Sequence, residues 1–159
     1  MKKILLLLVA FMSIVTLTSC NKTPLEKIDS FLDNANSSDT LVLYNFTNFN
    51  WDYFIIITAR DIKKTGSILN QKGISTNNIQ NIKVLRETES WTEVIYFIYK
   101  NDVIYVDVFP DNNKYYFDNI KDGKTIFKID YLWPREKSIF KINKDSLQGN
   151  YYKLTPIIK

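Results

Sequence analysis

The sequence contains no histidine and a single cysteine, Cys20, in 159 residues. Because histidine is the commonest general base and zinc ligand, its absence excludes Ser-His and Cys-His catalysis and most zinc or iron sites. Glycine is scarce, with 4 residues, and no glycine-rich phosphate-binding motif or nucleophile elbow occurs. The sequence therefore gives no grounds for a cofactor, a metal site or a named catalytic residue.

The charge balance is weakly basic, with 21 lysines and arginines against 17 aspartates and glutamates. The basic residues are spread along the chain, and Lys2 and Lys3 belong to the N-terminal segment. Nucleic-acid-binding proteins usually concentrate lysine and arginine in one patch or stripe. We therefore expect no nucleic-acid partner.

The N-terminal segment, residues 1–20, reads MKKILLLLVAFMSIVTLTSC. Two lysines are followed by an uncharged apolar run from Ile4 to Leu17, and the small residue Ser19 precedes Cys20. This order is typical of a secretory signal. The apolar run is shorter than the roughly 20 residues that a transmembrane helix needs. The alternatives are a plain secretory signal and a signal-anchor helix.

The end of this segment, Leu17-Thr18-Ser19-Cys20, resembles the lipobox of bacterial lipoprotein precursors. The resemblance implies a signal peptide over residues 1–19, an acylated Cys20, and a short tether over residues 20–23. It also implies a protein held on a bacterial membrane by lipid on Cys20, facing the periplasm or the cell exterior. An acylated Cys20 would leave the mature chain without a thiol, and so without a disulfide.

The remaining residues, 24–159, predict one α+β domain, in which an N-terminal helix packs on a mainly antiparallel sheet of about 5–7 strands. Thr23, Pro24 and Glu26 form a capping-box pattern at the start of the helix. The continuous apolar run 53–57 predicts a central strand, and residues 91–109 predict a hairpin that turns at 100–102. A last edge strand is predicted over 151–154, before Pro156.

Several short elements of the mature chain weakly resemble a group of small uncharacterised bacterial lipoproteins. The resemblance rests on Trp51-Asp52 before an apolar strand, the hairpin led by Trp91, Phe117-Asp118, and the strand that begins at Ser138. It covers most of residues 40–143. It implies a fold and no activity.

An unusual content of aromatic residues, including 10 tyrosines and 10 phenylalanines, suggests a recognition surface. Phe46, Phe49, Trp51 and Tyr53 cluster in one segment, and the first two belong to a polar loop. Because loops run over the surface, we expect these rings to contribute to a binding surface. Burial in the core is the alternative, since aromatic residues are ordinary strand residues.

Three carboxylates are the candidates for chemistry: Asp52, Glu93 and Asp107. Two carboxyl groups in a cleft could hydrolyse a glycosidic bond. The alternatives are a turn-capping role for Asp52 and a solvated strand face for the other two. We therefore carry two hypotheses, a non-enzymatic binding or accessory lipoprotein with an envelope protein or glycan partner, and a carboxylate-dependent hydrolase acting on envelope glycans.

Overall fold

The computed structural model describes residues 22–59, 62–77, 92–110, 112–118, 120–121, 124–125, 131–144 and 151–157. The predicted signal peptide, Cys20 and Trp91 lie outside these residues. The described residues form helices α1 (Pro24–Leu32) and α2 (Ile62–Gln71). Their strands are β1 (Thr40–Val42), β2 (Tyr53–Ala59), β3 (Thr92–Tyr99), β4 (Asp102–Val108), β5 (Tyr115–Phe117), β6 (Ile120–Lys121), β7 (Lys124–Thr125), β8 (Trp133–Pro134), β9 (Ile139–Lys144) and β10 (Tyr152–Pro156).

Helix α1 begins as the sequence predicts. The Thr23 hydroxyl accepts the backbone N–H of Glu26, the Glu26 carboxylate accepts the backbone N–H of Thr23, and Pro24 takes the first helical position. The apolar face of the helix is buried at Leu25, Ile28 and Leu32. Neither helix of the described ranges is long and apolar enough to cross a membrane.

The described strands form two four-stranded sheets and a separate β6–β7 pair. The predicted α+β class with an N-terminal helix is confirmed, but the prediction of a single main sheet is wrong. The antiparallel sheet has the order β4-β3-β2-β8 and contains the predicted hairpin. The second sheet has the order β1-β9-β10-β5 and is mixed, because β10 and β5 run parallel. Strand β10 lies between β9 and β5 and includes Pro156, which contradicts the predicted edge strand.

The two sheets face each other because each carries an apolar face that must be buried against another layer. Phe54 of β2 meets Phe117 of β5 and Phe140 of β9, with ring centroids 6.0 and 6.4 Å apart. Helix α1 closes the same core, while Leu69 of α2 packs on the other face of the hairpin sheet. Strand β2 is therefore a central strand covered on both faces, as its apolar run predicts.

The hairpin turns at Lys100 and Asn101, as the sequence predicts. Their φ angles of 50° and 65° both lie in the left-handed region. A tight two-residue hairpin turn of this kind needs positive φ at both positions and favours Asn-Gly or Gly-Gly. The turn therefore places a lysine in a conformation that glycine adopts at lower cost.

Candidate functional site

The four aromatic residues of the predicted binding surface do not form one exposed face. Tyr53 is 40% exposed, whereas Trp51 is 1% exposed and belongs to the core. Phe46 and Phe49 are half-buried, and the Phe49 ring stacks on Tyr105 with centroids 4.7 Å apart. The segment has this arrangement because its rings complete the core from one side.

A network of hydrogen bonds holds the indole of Trp51 beneath the exposed Tyr44. The Trp51 Nε1–H donates to the Thr47 hydroxyl over 2.9 Å, and that hydroxyl donates to the Tyr44 carbonyl over 3.2 Å. Tyr44 lies in a 3-10 helix formed by Leu43–Phe46, whose last residue the sequence places in a loop. The buried tryptophan and the exposed tyrosine thereby become neighbours.

The rings of Tyr44 and Trp51 line one side of a surface cavity of about 520 Å³. A second 3-10 helix, Arg135–Lys137, forms the other side. The Arg135 guanidinium carbon lies 5.7 Å from the ring centroid of Tyr44 and 5.7 Å from that of Trp51. Both distances fit a cation–π contact. We call this cavity the Arg135 cleft; its lining residues are Tyr44, Trp51, Asp52, Arg135 and Glu136.

The backbone of Arg135 is fixed on both sides. Its N–H donates to the Asp52 carbonyl over 2.8 Å, which joins the 3-10 helix to the entry of β2. Its carbonyl accepts the backbone N–H of Ser138 over 3.1 Å and the Ser138 hydroxyl over 2.5 Å. The Ser138 carbonyl in turn accepts the N–H of Leu43, so the two walls of the cleft are tied together.

Asp52 lines the cleft and also caps the hairpin turn. Its Oδ2 accepts the backbone N–H of Lys100 over 2.9 Å, and its own N–H donates to the Ile98 carbonyl over 2.7 Å. The sequence left two roles open for this residue, a pocket-rim carboxylate and a turn cap. The structure places Asp52 in the lining of the cleft and bonds its carboxylate to a turn 48 residues away in the chain.

Asp107 binds the N-terminus of helix α1. Its Oδ2 accepts the Leu25 N–H over 3.1 Å and its Oδ1 accepts the Val108 N–H over 3.0 Å. Asp107 is 7% exposed, and this burial raises the pKa of its carboxyl group, an effect that the hydrogen bonds partly offset. Burial also raises the pKa of Glu93. Asp107 therefore does not lie on the solvated strand face that the sequence offered as an alternative, whereas Glu93 is half-buried.

The three candidate carboxylates do not converge. Asp107 pairs with Ile95, and Lys100, to which Asp52 is bonded, lies five positions after Ile95 along the chain. At about 3.3 Å per residue, this is a separation of about 17 Å. Glu93 and Asp107 share one face of the sheet, as diagonal neighbours. No group of three or more acidic or cysteine side chains within the described ranges could hold a metal ion.

Comparison of the chain with protein-family models, with curated proteins and with solved structures found no significant match. The Arg135 cleft must therefore be interpreted from its own geometry. The sequence analysis missed Tyr44, Arg135 and Glu136, because the segments that carry them are far apart in the chain. The available signal was the position of Arg135 in the loop after Pro134, since loops often carry binding residues.

Proposed function

We propose that this chain is a membrane-anchored envelope lipoprotein that binds a partner without catalysing a reaction. In this proposal Cys20 carries the lipid, and the Arg135 cleft is the main contact surface. One observation carries it: Tyr44 and Arg135, packed over the buried Trp51, line an open surface cavity whose backbone is tied on both sides. These residue types dominate the binding energy of protein interfaces.

The location of the cleft supports this function. Helix α1, which directly follows the predicted tether, is bonded at its N-terminus to Asp107. The cleft lies near the hairpin turn, at the other end of β3 and β4, because Asp52 bonds to Lys100. The cleft thus lies about 17 Å farther along the hairpin than the start of helix α1, which follows the proposed tether.

Site-specific photo-crosslinking tests this proposal. A photoreactive phenylalanine analogue replaces Tyr44 at the cleft or, as a matched control, Tyr151, which precedes β10 and is equally exposed. The full chain is irradiated in the membranes of the bacterium that expresses it. We expect an adduct of defined mass at position 44 that disappears when Arg135→Gln is added.

The control position decides the outcome. Equal adducts at positions 44 and 151, or an adduct at 44 that persists in the Arg135→Gln variant, would contradict a binding role for the cleft. The absence of any adduct at position 44 in native membranes would contradict it as well. Circular dichroism of each variant ensures that the comparison is made between folded proteins.

A specific observation keeps the hydrolase hypothesis as a second candidate. Glu93 and Asp107 lie on one face of neighbouring strands, and burial raises the pKa of both carboxyl groups, as it does in many acid–base pairs. Against it, both oxygens of Asp107 accept backbone N–H groups. Release of reducing ends from purified peptidoglycan, abolished by Glu93→Gln, would favour the hydrolase over the binding protein.

A further inference from the structure

We infer that Arg135 receives a carboxylate from an acidic side chain of a partner protein. This inference rests on the proposed function and specifies which chemistry the Arg135 cleft recognises. It depends on two observations: the guanidinium donors that have no partner within the described residues, and the fixed position of the Arg135 backbone.

The guanidinium of Arg135 has its hydrogen-bonding capacity unused within the described part of the chain. The ion pairs found there join Lys114 to Asp33 and Lys153 to Asp118, and neither includes Arg135. Asp52 and Glu136 line the same cleft, yet neither carboxylate lies within ion-pair distance of the guanidinium. An arginine offers five N–H donors in a planar fork that matches a carboxylate.

The position of Arg135 reduces the cost of binding. Hydrogen bonds on both sides of the residue fix its backbone, and Ser138, which makes two of them, is fully buried. The rings of Tyr44 and Trp51 each lie 5.7 Å from the guanidinium carbon and restrict its stem. A side chain held in this way loses less conformational entropy when a ligand binds.

The charges of the cleft disfavour a phosphate more strongly than a single carboxylate. Asp52 and Glu136 add two negative charges to a cavity with one arginine. A phosphate dianion would meet stronger repulsion there than a carboxylate would, because like charges at short range repel each other. The same two carboxylates can accept N–H or O–H donors that flank the ligand carboxylate.

The composition and size of the cleft favour a protein as the source of that carboxylate. A volume of about 520 Å³ lies within the usual range of binding pockets. Trp51 is 1% exposed, so it presents no open ring face on which a sugar could stack. Tyrosine, tryptophan and arginine side chains around a central pocket are typical of a protein–protein hot spot.

Titrations monitored by NMR test the inference on the full-length protein in detergent micelles. The probes are N-acetyl-glutamate N-methylamide, its neutral glutamine counterpart, inorganic phosphate and methyl glucuronide. We expect saturable shifts of the Arg135 Nε–H and the Trp51 indole N–H with the glutamate probe. Binding of the glutamine probe should be weaker by about tenfold or more, since it replaces a charge-assisted bidentate contact with a neutral one.

Two variants assign the effect to Arg135. Arg135→Lys keeps the charge but loses the planar fork, so it should weaken binding of the glutamate probe less than Arg135→Gln does. Lys137→Gln is the matched control, because Lys137 carries the same charge two residues away and does not line the cleft. It should leave the affinity unchanged.

Different results of the titration would contradict different parts of the inference. Equal affinity for the glutamate and glutamine probes, or no saturable shift with either, would overturn carboxylate recognition. Tighter binding of phosphate or methyl glucuronide than of the glutamate probe would overturn the acidic-protein partner in favour of a phosphorylated or glycan ligand. Each of these results leaves the photo-crosslink at position 44 intact if the cleft is a binding site, whereas loss of that crosslink contradicts the proposed function itself.

Discussion

The carboxylate of Asp107, in strand β4, accepts the backbone N–H of Leu25 in the first turn of helix α1. Thr23 caps the same helix locally through the N–H of Glu26. Two of the N–H groups that a helix leaves unpaired at its start are therefore satisfied, one by the neighbouring Thr23 and one by Asp107, which is distant in the sequence. This hydrogen bond connects the helix that follows the predicted anchor to the edge of the hairpin sheet.

Replacement of Asp107 tests how much this long-range cap stabilises the fold. Asp107→Ala leaves the N–H groups of Leu25 and Val108 without an acceptor, and we expect it to lower the free energy of unfolding by about 1–3 kcal/mol. Asp107→Asn should lower the free energy of unfolding by a smaller amount, because the amide oxygen still accepts the N–H of Leu25. Urea denaturation of both variants measures the difference, and equal stability of the two would contradict the cap.

The raised pKa of Glu93 predicts a pH dependence with a defined sign. Burial raises it above its ordinary value of 4.5, so the folded state binds more protons than the unfolded state above that pH. The contribution of Glu93 to stability is therefore highest at acid pH and decreases as the pH rises through the folded pKa. Glu93→Gln should gain stability relative to the wild type between pH 4 and pH 7. A stability difference that is constant over this range would show that the pKa is unshifted.

The ring of Phe97 tests the aromatic core of the hairpin. It is fully buried and makes edge-on contacts with Phe49 and Trp51, each with centroids 5.3 Å apart. Phe97→Ala should lower the free energy of unfolding by about 3–5 kcal/mol, because transfer energy is lost and a cavity remains. Ile104→Ala, at an exposed position on β4, is the control and should change stability by less than about 0.5 kcal/mol.

Substitution of Asp52 and substitution of Lys100, which are joined by a hydrogen bond, should change the stability of the protein in opposite directions. Asp52→Ala removes the acceptor for the Lys100 N–H and should destabilise the protein by about 1 kcal/mol. Lys100→Gly keeps that N–H and relieves the positive φ, so it should stabilise the protein by up to about 1 kcal/mol. Thermal unfolding distinguishes the two, and a destabilised Lys100→Gly variant would argue against the left-handed turn.

Acylation of Cys20 is a prediction from the sequence alone. We expect Cys20→Ser to abolish incorporation of labelled palmitate and to shift the protein from the membrane fraction to the soluble fraction. Two acyl chains give stable anchoring because each buried methylene contributes roughly 0.8 kcal/mol. Full membrane retention of the variant would favour the signal-anchor alternative.

The features predicted correctly are those that depend on residues a few positions apart. The capping box at Thr23 and Glu26, the apolar run of β2 and the turn at Lys100 all follow from local rules of helix and hairpin formation. Each of these patterns is complete within fewer than ten residues, so one sequence is enough to detect it.

The features missed depend on contacts between distant segments. Strand β10 pairs with both β9 and β5 in a second sheet, where the sequence predicts an edge strand of a single sheet. No local pattern distinguishes such an interior strand from an edge strand. The Arg135 cleft likewise exists only because Arg135 packs over Tyr44 and Trp51. The sequence left burial of Trp51 open as an alternative for the same reason, since a tryptophan in a loop gives no sign of which rings surround it.

The length of the β3–β4 hairpin has an electrostatic consequence for a protein anchored at Cys20. Charged lipid headgroups create a surface potential that decays over about 8 Å at physiological ionic strength. The hairpin separates the start of helix α1 from the turn beside the cleft by about 17 Å. If the hairpin points away from the bilayer, the guanidinium of Arg135 lies about two decay lengths farther from the headgroups than the start of helix α1. It then does not bind the headgroup phosphates. Its affinity for a partner would then be independent of the lipid composition beneath it.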